Sequence, residues 1–330
     1  MLKVSVITPS YNQANFLEET ILSIYNQSYR NIQHIIVDGG STDKSVDIIK
    51  KHEDKISYWI SEKDKGQSDA INKGFKIANG EIITWINSDD VLLPNALERV
   101  VYHFQNNPEI DFLHGKSILF GNDKKEKIIG TFQQDFQHRY LAYIPFPQPS
   151  SFFRKKVIDE TGGLNTSLHY GMDYELLVRV ALNFELMFVD EVFSKYRLHK
   201  AAKTNDPIGF CKDWSIVFSK LLRTFDLHGE FIRLYTELGF YQSGTEIYIS
   251  RKQLSEEQLK TIFLYHLLIL FHYHYNACEM LQVKKIGALI HSLDKSFYLT
   301  NKLNKEISKI KYLNPSLIKI LRNIKEKIVN

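Results

Sequence analysis

The stretch that decides the fold is EIITWINSDD, Glu81 to Asp90. Ile82, Ile83 and Thr84 are β-branched and Trp85 is aromatic, so the run suits the pleated, buried surface of a strand. It passes straight into Asn87, Ser88 and two adjacent carboxylates, Asp89 and Asp90. Like charges that close repel, and a buried unpaired carboxylate is costly. A core strand that ends this way calls for something that compensates its acids.

The flanking segments alternate in period. KVSVITP (3–9) is an apolar β-branched run closed by proline, and NFLEETILSIYNQ (15–27) carries Phe16, Leu17, Thr20, Ile21 and Ile24 on one helical stripe. IQHIIVDGG (32–40) reads as a second strand ending on Asp38. STDKSVDIIKKH (41–52) opens the next helix, with Ser41 and Thr42 as candidate N-caps and Asp43 in the first turn. ISYWISE (56–62) is a weaker strand, and DKGQSDAINKGFKIANG (64–80) reads as loop, helix and a glycine stop at Gly80. Strands alternating with helices predict an α/β sheet with parallel strands. In such sheets ligands bind outside the carboxyl ends of the strands.

Further on, DFLHGKSILF (111–120) and LMFVDEVFSKYRL (186–198) read as strands around a helix, MDYELLVRVALN (172–183). From about Asn205 the pattern becomes helical, in FCKDWSIVFSKLLRTF (210–225), SEEQLKTIFLYHLLILFHYHYNACEML (255–281) and KKIGALIHSLDKSF (284–297). The expected organisation is an α/β domain over 1–204 and an appended helical region over 205–330.

The composition suits a globular chain: 330 residues, 44% hydrophobic and 24% charged. Two cysteines, Cys211 and Cys278, cannot make a disulfide framework. The N-terminal apolar run is too short for a signal peptide, and the longest apolar stretch, Thr261 to Phe271, is too short to cross a bilayer. A cytoplasmic protein is the expectation. Of the net charge of +4, residues 301–330 carry +6, with eight Lys or Arg against two Glu, so residues 1–300 carry −2. Nucleic acid is therefore not expected as a partner. The tail sequence LIKILRNIKEKIV (317–329) sets apolar against basic residues at helical spacing, which suits either an anionic membrane surface or packing on the domain. His266, His272 and His274 lie in an apolar helix without acidic neighbours and read as core or surface histidines.

Polar residues gather at the predicted strand ends: TPSYN, DGGSTD, NSDD and YRLHK, with GMDYE at a helix start. Carboxylates clustered there are tolerable when a divalent cation with oxygen ligands neutralises them. A cation that in turn holds phosphate oxygens would explain the two adjacent acids.

In these motifs the chain resembles the family 2 glycosyltransferases, nucleotide-sugar-dependent inverting enzymes with the GT-A fold. VSVITPSYNQ, IIVDGGSTDKS, SEKDKGQSDAINKGF followed by ANGEIITWINSDD, GMDYELLVRV and YRLH occur in the family's order over roughly residues 3–200. The resemblance implies a nucleotide-sugar-binding half over 1–100 and an acceptor and catalytic half over 101–204. It implies that Thr8, Pro9 and Tyr11 border the nucleotide and that Asp38 accepts the uracil N3–H. Asp64 and Gly66 would lie near base and ribose. Asn87, Ser88 and Asp89 stand where the family has DxD. Asn87 and Ser88 would face the donor, and Asp89, with His199, would bind Mn²⁺ or Mg²⁺. Asp173 would be the general base, and Gln148 and Asp90 would contact the acceptor.

Two residues depart from the family pattern: Asn87 replaces the first acid of DxD, and Met172 the first acid of the pair that ends in Asp173. The implied reaction moves a sugar from a nucleotide diphosphate, expected to be UDP, to a hydroxyl of a glycan or lipid-linked acceptor, as in polysaccharide assembly. Two competing readings stand beside it. A nucleotidyltransferase of similar fold would need a glycine-rich loop after the first strand, and TPSYNQANF (8–16) has no glycine. A non-catalytic sugar-binding scaffold would rest on Asn87 and Met172. The helical region is also the candidate surface for a homo-oligomer.

Overall fold

The computed structural model describes residues 1–121, 125–130, 138–199, 202–203 and 206–312. The chain forms two compact units, one of Met1–Phe136 with Ile144–Lys200, the other of Gln137–Tyr143 with Ala201–Asn330. The short segment 137–143 thus joins the helical unit, which the sequence pattern does not reveal. The candidate membrane helix, 317–329, lies outside the described residues.

The first unit is built on a sheet of nine strands among the described residues. Four of them, β1 (Val4–Ser10), β2 (Ile32–Asp38), β3 (Tyr58–Ser61) and β4 (Ile82–Trp85), pair in parallel in the order β3-β2-β1-β4. Helices α1 (Leu17–Tyr25), α2 (Ser45–Lys51) and α3 (Gln67–Ile77) connect them, and α6 (Lys155–Thr161) lies later in the same unit. Beyond β4 the sheet is mixed. β8 (Ser151–Arg154) runs antiparallel to β4, and β6 (Phe112–Phe120) antiparallel to β8. β9 (Leu186–Arg197) is parallel to β6, and the two-residue β5 (Val91–Leu92) is antiparallel to β9. β7 (Lys127–Ile129) pairs with β6. The α/β class read from the sequence is the fold observed.

Burial explains why these segments form. All residues of β1 and β4 are buried, as expected for central strands covered on both faces. Helix α4 (Ala96–Asn106) presents Leu97, Val100, Val101 and Phe104 at helical spacing to Val4, Val6, Ile82, Ile86 and Phe152. Each such side chain contributes about 1.5–3 kcal/mol by leaving water. Helix α4 begins after Asn95, and β5 separates it from the NSDD loop. Helix α2 starts later than expected. Lys44 stands at its N-cap position, Ser41 donates to Asp38, and Asp43 Oδ1 accepts from the first helical N–H, that of Ser45 (2.9 Å).

The second unit is helical: α8 (Pro207–Phe225), α9 (Glu230–Glu237), α10 (Glu256–Asn276), α11 (Met280–Leu293), α12 (Lys295–Thr300) and α13 (Leu303–Tyr312), with α5 (Arg139–Ala142) from the inserted segment. Ser255 and Gln258 form a capping box at α10. His266 is fully buried, stacks on Phe218 at 3.7 Å, and bridges the Ala142 carbonyl (2.9 Å) and the Tyr235 hydroxyl (2.8 Å). It is a core histidine. Among the described residues no helix is long and apolar enough to cross a membrane.

Candidate active site

Parallel pairing brings the carboxyl ends of the first strands to one edge. Ser10 stands opposite Asp38, Asp38 opposite Ser61, and Ile7 opposite Trp85, so the NSDD loop emerges beside the end of β1. Tyr11 is 59% exposed at this edge. Thr8 lies two residues before the end of β1, its side chain fully buried with Oγ1 3.0 Å from His34 Nε2.

Asp38 ends β2 fully buried. Its Oδ2 accepts from Gly40 N–H (3.1 Å), Ser41 N–H (2.9 Å) and Ser61 Oγ (2.7 Å). Its Oδ1 accepts from Ser41 Oγ (2.5 Å), the one partner of that oxygen among the described residues. Oδ1 therefore keeps a lone pair for a further donor. Next to it, a Cβ on Gly39 would stand 2.6 Å from Asp64 Oδ2, so a larger residue there would push this carboxylate aside. Asp64 Oδ1 accepts from Gly66 N–H (2.8 Å), and Gly66, at φ +110°, holds the left-handed conformation that starts α3.

The two adjacent acids have opposite fates. Asp90 is 1% exposed, and its oxygens accept from Arg197 N–H (2.9 Å) and Asn87 Nδ2 (3.3 Å). Burial, and after it the charge of Asp89, holds its carboxyl well above the usual range. A side chain so enclosed ties the loop to β9 through the Arg197 N–H. Asp89 turns outward. Its Oδ2 lies 2.9 Å from His199 Nε2, and both side chains are partly exposed, 20% and 15%. Pairing of β5 with β9 joins these positions from opposite ends of the unit (Val91 opposite Lys195).

Asn87, the uncharged first position, accepts from Gln67 Nε2 (2.7 Å) and points Nδ2 toward Asp90 and, at 3.5 Å, Gln148 Oε1. Its amide suits the place: it donates to a buried carboxylate that an Asp would repel. Gln148 in turn donates to the Trp85 carbonyl (2.9 Å). Gln148 and Asp173 line one recess, with Trp85, Phe112, Phe146 and Phe153. Trp85 and Phe153 stack there at 5.8 Å. Asp173 lies in the first turn of α7 (Met172–Asn183), partly exposed, where the helix dipole favours its charge, and Oδ1 accepts from Tyr174 N–H (2.9 Å). Met172 is buried, and its sulfur accepts from Ser68 Oγ at 2.7 Å. That contact joins the starts of α3 and α7 and gives the second departure a packing reason.

The residues suit a hard cation, within limits. Among the described residues no three His, Cys, Asp or Glu side chains gather to hold a metal by themselves. Asp89 Oδ2 and His199 Nε2 are two donors 2.9 Å apart, close to the ~3 Å between neighbouring ligands of an octahedral Mg²⁺-sized ion. Such ions commonly take one or two protein ligands and complete their shell with water and substrate phosphate. The pair fits.

Residues 5–162 match the sequence family described as glycosyl transferase family 2. A Rickettsia typhi protein described as an uncharacterized glycosyltransferase is 30% identical over 236 residues, covering 67% of this chain and 71% of its own length. The chain belongs to glycosyl transferase family 2. A Mycobacterium tuberculosis protein described in the same words is 29% identical over 230 residues, or 68% of this chain and 84% of its own. Among solved structures, Staphylococcus aureus TarS 1–349 in complex with UDP-GlcNAc superposes with a TM-score of 0.60 at 14% identity, covering 94% of this chain and 92% of that one. That degree of identity shows the shared GT-A fold alone.

Five further side chains surround the candidate site. Arg197 lies in the YRLH motif, and Gln67, Ser68, Glu19 and Phe16 carry no sequence signal beyond helix starts and an amphipathic stripe. Their roles come from contacts between segments far apart in the chain.

Proposed function

We propose that the chain is an inverting glycosyltransferase that moves a sugar from a nucleotide diphosphate, UDP in the first instance, to a hydroxyl of a glycan or lipid-linked acceptor. The observation that carries this reading is the amide chain from Gln67 through Asn87 to Gln148. It links the start of α3 to a recess holding one carboxylate, Asp173. A donor at the strand ends and an acceptor hydroxyl beside Gln148 and Asp173 would then meet at the NSDD loop. The solved relatives support a nucleotide-sugar donor: TarS is described in complex with UDP-GlcNAc, and a Pyrobaculum calidifontis mannosyltransferase (TM-score 0.55, 15% identity, covering 93% of this chain and 85% of that one) with GDP-Man and Mn²⁺.

In this reading Tyr11, Pro9, Asp38, Asp64 and Gly66 receive the nucleoside, with Asp38 Oδ1 accepting from the base. Asn87 and Ser88 face the sugar diphosphate. Asp89 and His199 would hold Mn²⁺ or Mg²⁺, which supplies positive charge to the diphosphate oxygens. Gln148 orients the acceptor hydroxyl, and Asp173 takes its proton as the oxygen attacks the anomeric carbon. The bond from that carbon to the diphosphate oxygen breaks on the opposite face, so the configuration inverts.

The test is release of UDP from a panel of UDP-sugars with Mn²⁺ and candidate acceptors, for the unaltered chain and Asp173→Asn. A base of this kind contributes about 10²–10⁴-fold, so Asp173→Asn should lose that much in kcat while still binding UDP. A variant that keeps most of its rate removes Asp173 from the role.

A further inference from the structure

We infer that Arg197 is the positioning residue that sets Asp89 against His199, an inference that rests on the reading of that pair as the cation end of the donor site. Arg197 is the last residue of β9, and its side chain is 14% exposed. It touches the NSDD loop twice. Its backbone N–H donates to Asp90 Oδ1 (2.9 Å), and its Nε–H donates to the Asp89 carbonyl oxygen (2.8 Å). Beyond the loop, the guanidinium pairs with Glu19 of α1. It also lies over two rings, 4.3 Å from the centre of Phe120 and 4.8 Å from that of Phe16. The Phe16 ring is in turn 5.0 Å from the imidazole of His199.

These contacts fix both partners from one side chain. Holding the Asp89 carbonyl sets the direction in which its carboxylate leaves the backbone. Phe16, packed under the guanidinium, limits the imidazole of His199 two residues along the same chain. The Glu19 carboxylate balances the charge of Arg197. Glu19 and Phe16 both stand at the start of α1, so that helix end is part of the same clamp. Lysine cannot reproduce it: an ammonium has neither the flat face that lies between two rings nor a donor placed as Nε is. A plain structural role, fastening α1 to the sheet, would lower the melting temperature on substitution and leave cation affinity alone.

The experiment titrates Mn²⁺ by electron paramagnetic resonance at saturating UDP, on the full chain, Arg197→Lys and Phe16→Leu, with melting temperatures in parallel. Loss of such an outer contact typically weakens metal binding about 10–100-fold. Arg197→Lys is expected to weaken Mn²⁺ by about tenfold, and Phe16→Leu should weaken it in the same direction by less. If Arg197→Lys does not fold, Phe16→Leu decides. Folded variants that bind Mn²⁺ within twofold of the unaltered chain overturn the inference while leaving the reading of the site intact. An unaltered chain that binds no Mn²⁺ with UDP present removes the reading and the inference together.

Discussion

Restoring the family's acid at the first position of the NSDD loop, Asn87→Asp, should make the fold depend on a divalent cation. In the structure Asn87 Nδ2 donates to Asp90 Oδ2 at 3.3 Å, and Asp90 is 1% exposed. The substitution replaces that donor with a carboxylate oxygen at nearly the same place. Coulomb's law at an effective dielectric of 20 puts the repulsion at about 5 kcal/mol for that separation. Sharing one proton between the two acids relieves part of it, as in other close carboxylate pairs. A net loss of about 2–4 kcal/mol at pH 8 then corresponds to a fall in melting temperature of roughly 4–16 °C for a unit of this size. The sign with pH follows from proton binding. The pair holds a proton in the fold that the unfolded carboxyls release near pH 4, so stability falls as pH rises above that value. In the unaltered chain burial already raises Asp90, and the added acid raises the pair's proton release further, so the deficit against the unaltered chain should grow from pH 5 to pH 8. Mn²⁺ should recover more stability in the variant than in the unaltered chain, because a second carboxylate joins Asp89 and His199 as a third ligand. The assay is thermal unfolding at pH 5 and pH 8, with and without Mn²⁺. An Asn87→Asp chain as stable as its parent at pH 8, or one that Mn²⁺ restores no more than its parent, would refute the reasoning.

Two further outcomes are expected. Gly39→Ala should weaken UDP binding at least tenfold in calorimetry, since its Cβ would lie 2.6 Å from Asp64 Oδ2 and displace that carboxylate; an unchanged affinity would separate Asp64 from the donor site. Burial pushes His266 down to about 3, so the folded state keeps this imidazole neutral while the unfolded chain takes up a proton below about pH 6.5. Stability should thus be complete above pH 6.5 and fall as pH drops, by about 2 kcal/mol at pH 5 from this residue. His266→Gln should flatten that slope in denaturant titrations, and an unchanged slope would count against the buried neutral ring.

The parallel half of the sheet was legible because its signals are local. The β-branched runs of β1, β2 and β4 and the stripes of the helices between them can be read a few residues at a time, and polar residues mark where the strands end. Asp38, Asp89 and Asp173 could be singled out on that basis together with the family's motif order. The second half was not legible in the same way. β5 has two residues and β8 four, and both exist because β9 and β4 pair with them from more than sixty residues away. The opposite fates of Asp89 and Asp90 come from the same source. Only the return of β9, with its Arg197 N–H aimed at Asp90 Oδ1, decides which acid is buried. The contact of Thr8 with His34, one strand away, likewise has no local signal. The attachment of 137–143 to the helical unit depends on contacts such as Ala142 with His266, which no local pattern encodes.

The measurement closest to the centre of the account is the melting temperature of the unaltered chain with UDP and Mn²⁺, singly and together. A cation shared by Asp89, His199 and a diphosphate requires that the two ligands together raise the melting temperature by more than the sum of their separate effects. If UDP with Mn²⁺ leaves the transition where it lies without them, the strand-end acids do not serve a nucleotide diphosphate.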